Sequence, residues 1–213
     1  MSGEKRIAVL VSGGGTNLQA LLDAEARGDL QPGKIAAVVA SAPGVYALER
    51  AKQAGVPGYV MARKDYPSSK AYTIALTEFL QGQKIDLVIL AGFMTILTEE
   101  MVKAFPNAIL NVHPALIPSF CGAGYYGLHV HEAALSYGVK VSGATVHFVS
   151  EECDGGPIVL QKAVPVLEGD TPETLQRRVM EQAEWQILPQ AAALFCQGRL
   201  RVHGRVVHIT TEE

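Results

Sequence analysis

The sequence has few of the features that mark secreted, membrane or nucleic-acid-binding proteins. Its three cysteines, Cys121, Cys153 and Cys196, form no Cys-x-x-Cys pair, which argues against a zinc or redox motif and indicates a reducing compartment. No apolar run approaches the roughly 18 residues of a membrane span, and residues 1–6 are too polar for a secretory signal. No basic run exceeds two residues and the net charge is −3. We therefore expect a cytoplasmic protein that binds neither membrane nor nucleic acid.

What is present is an ordinary globular composition. The chain has 213 residues, of which 48% are hydrophobic and 18% charged, so it can bury a substantial core. It has no internal repeat, low-complexity stretch or evident linker. We therefore predict one domain over residues 1–213.

Apolar runs separated by helical patterns predict a parallel sheet covered on both faces. The predicted strands of the first half are 6–11, 35–41, 58–60, 86–90 and 108–112, and the predicted helices are 16–27, 46–54 and 69–81. Later in the chain we predict strands over 141–149 and 158–164, a helix over 171–197 and a hairpin of 199–202 with 205–209. Thr171 is the expected N-cap of that helix, Pro172 its first residue, and Pro189 a break or kink.

The segment Asn111-Val112-His113-Pro114 closes the last strand of the first half. Because side chains alternate along a strand, Asn111 and His113 point to one face. An amide can stabilise an oxyanion and an imidazole can move a proton, a combination that suits acyl transfer. Asp154, in the later Asp-Gly-Gly-Pro turn, could orient the imidazole. The alternative is structural, with His113 as a hydrogen-bonding residue, Asn111 as a cap and Asp154 as a turn residue.

A glycine-rich loop, residues 12–17, joins the first strand to the first helix. Its backbone N–H groups and the helix N-terminus predict a phosphate site. It lacks the Gly-Lys-Ser/Thr of a P-loop and the third glycine and later acid of a dinucleotide fingerprint. A tight turn without a ligand is the alternative. This loop, Gly92-Phe93-Met94 and Asn111–His113 all follow strand ends, and we expect them to line one crevice.

Other polar residues carry less information. His129, His131 and His147 show no metal-ligand spacing, and Cys121 lies unpatterned in a glycine-rich loop. We expect no metal and treat Cys121 as incidental.

These segments together resemble the phosphoribosylglycinamide formyltransferases within the folate-dependent formyltransferase family. The resemblance covers roughly the whole chain and is carried by residues 11–20, 90–94, 111–118, 143–149 and 154–158. It implies an α/β, Rossmann-like formyltransferase fold. That fold has a mostly parallel central sheet, helices on both faces and a C-terminal antiparallel portion. The half formed by residues 1–113 would bind the ribonucleotide phosphate, and the half formed by 114–213 would bind folate.

The resemblance also implies an activity, transfer of the formyl group of 10-formyltetrahydrofolate to the amine of glycinamide ribonucleotide in purine biosynthesis. The implied catalytic residues are Asn111, His113 and Asp154. The implied substrate-binding residues are Gly14, Gly15, Thr16 and Asn17 at the phosphate, Met94 and Pro114 at the glycinamide, and Glu184 at the ribose. The implied folate-binding residues are Phe93, Thr95, Ile96, Leu97, Phe148, Val149, Ser150 and Cys153, with the pterin against Ile96, Leu97 and the 148–154 backbone.

The chain departs from the family pattern in three places. The loop 120–127 is longer than in many members, Thr95 replaces an arginine of some relatives, and Trp185 follows Glu184 where histidine is common. The related alternatives are formyltetrahydrofolate hydrolase and another folate-dependent formyltransferase such as methionyl-tRNA formyltransferase. A non-catalytic nucleotide-binding module is the alternative from another class. The oligomeric state is left open, with a homodimer as one option.

Overall fold

Nine strands form one mixed sheet in a computed structural model that describes residues 3–211. The strands are β1 (Lys5–Val11), β2 (Gly33–Ala40), β3 (Gly58–Val60), β4 (Leu87–Leu90), β5 (Ile109–His113), β6 (Val141–Phe148), β7 (Ile158–Pro165), β8 (Leu200–His203) and β9 (Val206–Ile209). Their order is β3-β2-β1-β4-β5-β6-β7-β9-β8. The ends of the predicted domain, residues 1–2 and 212–213, lie outside the described residues.

The sheet changes direction at β5. Strands β3, β2, β1, β4 and β5 are all parallel, whereas β6 runs antiparallel to both β5 and β7. The terminal hairpin pairs β8 with β9 antiparallel, and β9 meets β7 in a short parallel contact. The predicted α/β class, with a mostly parallel sheet and a C-terminal antiparallel portion, is therefore confirmed.

Seven α-helices cover the described sheet. They are α1 (Thr16–Arg27), α2 (Tyr46–Gln53), α3 (Ser69–Gly82), α4 (Glu99–Ala104), α5 (Leu128–Tyr137), α6 (Pro172–Val179) and α7 (Trp185–Cys196). A short 3-10 turn spans Arg63–Asp65. None of the helices within residues 3–211 is long and apolar enough to cross a membrane.

Two hydrophobic clusters lie on opposite faces of the sheet because side chains alternate along each strand. In β1, Ile7, Val9 and Val11 enter the larger cluster, with apolar residues of α1, α2, α6 and α7. Ala8 and Leu10 enter the smaller cluster, with α3 and α4. The parallel strands are therefore buried on both sides, as their continuous apolar runs predict.

The structure corrects three predictions. Helices α4 and α5 were not predicted. The single helix predicted over 171–197 is divided, because a wide π-helical turn, Met180–Glu184, separates α6 from α7. Pro189 lies inside α7, so the interruption precedes the proline. The capping prediction is confirmed, since the Thr171 side chain accepts from the Thr174 backbone N–H and Pro172 opens α6.

Gly143 is a packing constraint between β6 and β7. A Cβ at this position would overlap the Lys162 carbonyl oxygen and lie 2.8 Å from Leu116 Cδ2. Gly82, at the end of α3, has open space around its α-carbon. The two glycines therefore offer a matched pair of substitutions.

We expect Gly143→Ala to lower the free energy of unfolding by about 2 kcal/mol, because β7 must move away to admit a methyl group. Gly82→Ala should change it by less than about 1 kcal/mol, and toward stability, because alanine is the better helix former. Urea denaturation followed by circular dichroism measures both. Equal stability of the two variants would contradict the packing constraint.

Candidate active site

The candidate site lies where the strand order reverses. From β1 the chain proceeds to β2 and β3 on one side, and β4 and β5 lie on the other, which is where open α/β sheets bind ligands. The Ser12 hydroxyl, just after β1, contacts the Ser41 hydroxyl at 2.7 Å and accepts from the Met94 backbone N–H at 2.9 Å. The loops after β1, β2 and β4 are thereby connected, so the predicted convergence of the first two of the three segments is confirmed.

The glycine-rich loop offers a set of unoccupied donors. Within residues 3–211, no acceptor is found for the backbone N–H groups of Gly14–Asn17. The first turn of α1 has no acidic residue, and no side chain caps it. Gly15 adopts φ +72°, and a Cβ there would lie 2.7 Å from Ala47 Cβ, so only glycine fits. Free N–H groups at a helix N-terminus attract an anion.

Asn111 and His113 share one face of β5, as predicted, and Val112 between them is buried in the larger cluster. The neighbouring strand pairs Asn111 with His147 and His113 with Thr145. His113 is only 4% exposed. Its Nε2 lies 2.8 Å from the Phe120 carbonyl oxygen. A carbonyl can only accept, so Nε2 carries a hydrogen and donates to it.

Asp154 reaches the same face from the turn between β6 and β7. Its Oδ2 lies 3.5 Å from His113 Nδ1, and its Oδ1 lies 3.6 Å from His147 Nε2. Oδ2 also accepts from the Gly122 backbone N–H at 2.9 Å. The residue adopts φ +53°, a conformation that aspartate tolerates in turns. The structure thus brings together the three residues predicted from separate segments.

Electrostatics define the resting protonation of this group. Burial lowers the pKa of His113, and the charge of Asp154 opposes that effect without cancelling it. Burial acts to raise the pKa of Asp154, but the nearby His147 side chain, a hydrogen bond from the Gly122 N–H and the charge of His113 bring it below the usual value. Asp154 is therefore ionised at neutral pH. Asp154 favours the protonated form of His113, but burial has the larger effect on the pKa of His113.

Sequence reasoning considered His147 only as a metal ligand and missed its place in the site. It is 2% exposed, and its Nδ1 lies 2.9 Å from the Phe148 carbonyl oxygen, to which it donates. Its Nε2, 3.1 Å from Asn111 Nδ2, then accepts one amide hydrogen. This bond orients the amide, and its second N–H has no acceptor among residues 3–211. Only the pairing of β5 with β6, which sequence periodicity does not reveal, could have identified this role.

Glu184 reaches the glycine-rich loop from the π-helical turn. Asn17 Nδ2 donates to Glu184 Oε2 at 2.6 Å, and both side chains are buried. Burial raises the pKa of Glu184 to about 7, and the bond from Asn17 opposes that shift. No partner for Asn17 Oδ1 is found in the described part of the chain. The pair is therefore a buried polar site beside the loop, where Asn17 Oδ1 can still accept a hydrogen bond.

The remaining predicted residues lie around this centre with different exposures. Met94 and Ile96 are 57% and 81% exposed, whereas Phe93, Leu97 and Val149 pack against the smaller core cluster. Phe148 is buried in the larger cluster, so only its backbone is available to a ligand. Thr95, Pro114 and Ser150 are half-buried and Cys153 is exposed. No group of three or more metal-ligating side chains occurs between residues 3 and 211.

The turn after His113 is held by side chains of β6 and β7. The Thr145 hydroxyl donates to the Ala115 carbonyl oxygen at 2.7 Å and accepts from the Ile117 N–H at 3.1 Å. Gln161 Nε2 contacts both the Thr145 hydroxyl and the Ile117 carbonyl oxygen at 3.0 Å. Strands β6 and β7 thereby hold the chain that follows Asn111 and His113.

Comparison with known proteins gives consistent results. The model of the formyl transferase family matches residues 5–192. The chain is 43% identical over 205 residues to phosphoribosylglycinamide formyltransferase of Haemophilus influenzae, covering 96% of this chain and 93% of that one. It superposes on glycinamide ribonucleotide transformylase 1 from Symbiobacterium toebii with TM-score 0.91 and 50% identity, covering 97% and 94%. A formyltetrahydrofolate deformylase from Pseudomonas syringae pv. tomato gives TM-score 0.87 at 25% identity, covering 99% and 67%.

A second buried histidine, His131 on α5, lies close enough to His113 for the charge of His113 to affect its pKa. It is fully buried, and no partner for either ring nitrogen is found within residues 3–211. Burial, with a smaller contribution from His113, lowers its pKa to about 4. Its ordinary value is about 6.5, so the unfolded chain takes up this proton first as the pH falls.

We therefore expect folding stability to fall between pH 6.5 and 4, with His131 contributing up to about 3 kcal/mol of the loss. His131→Leu should remove that contribution. His129→Gln, an exposed change on the same helix, should leave it in place. Urea denaturation at pH 7 and pH 4.5 measures the effect, and an unchanged pH dependence in His131→Leu would contradict the assignment.

Proposed function

The chain belongs to the formyl transferase family, and we propose that it transfers the formyl group of 10-formyltetrahydrofolate to the amine of glycinamide ribonucleotide. The products are formylglycinamide ribonucleotide and tetrahydrofolate. The activity is that of a phosphoribosylglycinamide formyltransferase of purine biosynthesis, the name carried by the similar Haemophilus influenzae protein.

One observation carries the proposal: an anion-binding loop and an Asn–His–Asp group open onto the same strand-end crevice. Among the described residues, the loop's N–H groups at Gly14–Asn17 have no acceptor, and His113 Nδ1 lies 3.5 Å from Asp154 Oδ2. The Ser12–Met94 hydrogen bond connects the loop to the segment after β4. A substrate with a phosphate at one end and an amine at the other suits such a crevice.

Recognition of the ribonucleotide divides among three groups. Gly14, Gly15, Thr16 and Asn17 donate to the phosphate. Glu184, held by Asn17 at 2.6 Å, accepts from the ribose hydroxyls, and Met94 and Pro114 border the glycinamide. We further propose that residues 1–113 form the ribonucleotide-binding half and residues 114–213 the folate-binding half.

Asn111 and His113 stabilise the oxygen that becomes negative when the amine attacks the formyl carbon. Asn111 contributes the amide hydrogen that His147 leaves free, and His113 contributes Nε2–H. In the resting protein that hydrogen donates to the Phe120 carbonyl oxygen, an acceptor of the same kind as the formyl oxygen. Movement of the loop 120–127 would exchange one acceptor for the other. A donor of this kind contributes roughly 3–4 kcal/mol to lowering the barrier.

Asp154 takes part in the proton transfers of the reaction. The attacking amine must lose a proton and the departing folate nitrogen must gain one. Ionised Asp154 favours the protonated form of His113 and accepts a proton from the amine, directly or through water. Its orientation comes from the Gly122 N–H, 2.9 Å away. No covalent bond between the protein and the formyl group is needed.

The folate co-substrate lies on the side of Ile96. This side chain and Met94 are large, apolar and exposed next to the crevice, and a flat heterocycle would cover them. Phe93, Thr95 and Leu97 extend the same segment. The backbone of residues 148–154, including Val149, Ser150 and Cys153, forms the opposite border.

Hydrolysis of formyltetrahydrofolate is the second candidate, because the structural relative named as a deformylase has the same fold. The chain resembles that protein at 25% identity, compared with 43% for the named formyltransferase. A phosphate-binding loop also has no purpose when water is the acceptor. Transfer is therefore favoured over hydrolysis.

The test is an assay with both substrates and a control that omits the amine. We expect formyl transfer that depends on glycinamide ribonucleotide, with little folate product in its absence. His113→Ala and Asn111→Ala should each lower kcat by about 10² or more. Folate product that forms equally fast without the ribonucleotide would instead identify a hydrolase.

Asp154→Asn should lower turnover by about 10²-fold or more, the span typical of acid–base groups. Melting temperature should change little, because asparagine keeps the size and the turn preference. The alkaline limb of the pH–rate profile, where protonated His113 loses its proton, should move to lower pH, because the carboxylate is the group that raises the pKa of His113 against burial. A variant that loses stability but keeps its turnover per folded molecule would make Asp154 a turn residue.

A further inference from the structure

The carbonyl oxygens of Gly13, Gly14 and Gly15 are hydrogen-bonded, whereas the N–H groups of Gly14–Asn17 have no acceptor in the described part of the chain. Gly13 O accepts from the Ala47 N–H at 3.2 Å, and Gly15 O accepts from the Gln19 N–H at 2.9 Å. The third, Gly14 O, accepts from Arg50 Nε at 2.8 Å. This last bond is the one formed by a side chain, and it carries a positive charge to the edge of the loop.

Arg50 is itself fixed by further contacts. Its Nη1 donates to Gln19 Oε1 at 2.9 Å, and Gln19 belongs to α1, the helix whose N-terminus faces the anion. Its guanidinium lies over the Tyr46 ring, 4.9 Å from the centroid. No hydrogen bond in the described structure engages Nη2. One side chain of α2 therefore joins the loop to α1.

Gly14 needs such a restraint more than its neighbours do. Gly13 and Gly14 are exposed, and a Cβ on either would meet nothing within 4 Å. Glycine also has the widest backbone freedom. If the Gly14–Gly15 peptide turned over, the carbonyl oxygen would face the phosphate and the Gly15 N–H would be lost to it. A charge-assisted bond to that carbonyl opposes this rotation.

We propose that Arg50 is a positioning residue for phosphate recognition, one that holds the loop with its N–H groups toward the anion and places a cation beside it. The proposal rests on the proposed function, because the loop is taken as the site of the ribonucleotide phosphate. It predicts that Arg50 affects substrates only through their phosphate.

The test compares glycinamide ribonucleotide with its dephosphorylated riboside in three variants. Arg50→Met removes the bonds and the charge, and Arg50→Lys keeps the charge without the fork of donors. Lys52→Met removes an exposed charge of the same helix and is the matched control. Circular dichroism and melting temperature establish that each variant folds.

For Arg50→Met we expect kcat/KM for the ribonucleotide to fall by about 10- to 100-fold, mainly through KM, as loss of a charge-assisted bond implies. The value for the riboside should change by less than about twofold, and KM for the folate should stay constant. Arg50→Lys should show a smaller loss, again confined to the ribonucleotide. Lys52→Met should match the parent protein.

Equal losses with both substrates, or no loss in either Arg50 variant, would overturn the proposal. Binding of inorganic phosphate, measured by calorimetry, separates this outcome from failure of the proposed function. If the parent protein transfers no formyl group yet binds phosphate more tightly than Arg50→Met, the function is wrong and the role of Arg50 stands. If transfer occurs but phosphate binds both proteins equally, the role of Arg50 is wrong.

Discussion

The pairing of β5 with β6 is the constraint on which the candidate site depends. On its other side β5 continues a parallel sheet, so its end opens onto the strand-end crevice. The antiparallel partner brings His147 opposite Asn111 and Thr145 opposite His113, and the following turn returns Asp154 to the same face. One change of strand direction thus assembles groups that no single segment contains, and it places them in low-dielectric surroundings where their interactions are strong.

Much of the first half could be predicted from local signals. Helix α1 lies between Gly15 and Gly28, and these two glycines predict its limits. Both adopt left-handed conformations at the helix ends, which glycine does most readily. Helix α5 was missed because it follows the glycine-rich loop 120–127 and buries His131, a residue that no apolar pattern counts as core. The π-helical turn was missed because a one-residue slip in hydrogen bonding leaves no trace in composition. It ends at Glu184, and the next residue, Trp185, has a carbonyl that Pro189 leaves without its usual N–H donor.

The residues of the candidate site could be predicted from the sequence only in part, again because sequence patterns are local. Asn111 and His113 lie two residues apart on one strand, so alternation alone places them together. Their partners come from other strands and loops. The local sequence left Asp154 open as an orienting carboxylate or a turn residue, and only the family resemblance implied a catalytic role. The position of His147 depended on the strand register, and the contact between Arg50 and Gly14 depended on the docking of α2. Sequence periodicity describes one helix or strand at a time, whereas contacts between residues of different elements depend on how those elements pack.

If Glu184 binds the ribose as proposed, ribonucleotide binding is a proton-linked event. A carboxyl group with a pKa of about 7 is half protonated at neutral pH. Ribose hydroxyls that donate to its ionised form would lower that pKa and release a proton to the buffer. Apparent affinity would then rise with pH across neutrality, and the heat of binding would vary with the protonation enthalpy of the buffer. On that proposal, the buried Asn17–Glu184 pair connects substrate binding to the pH of the surrounding solution.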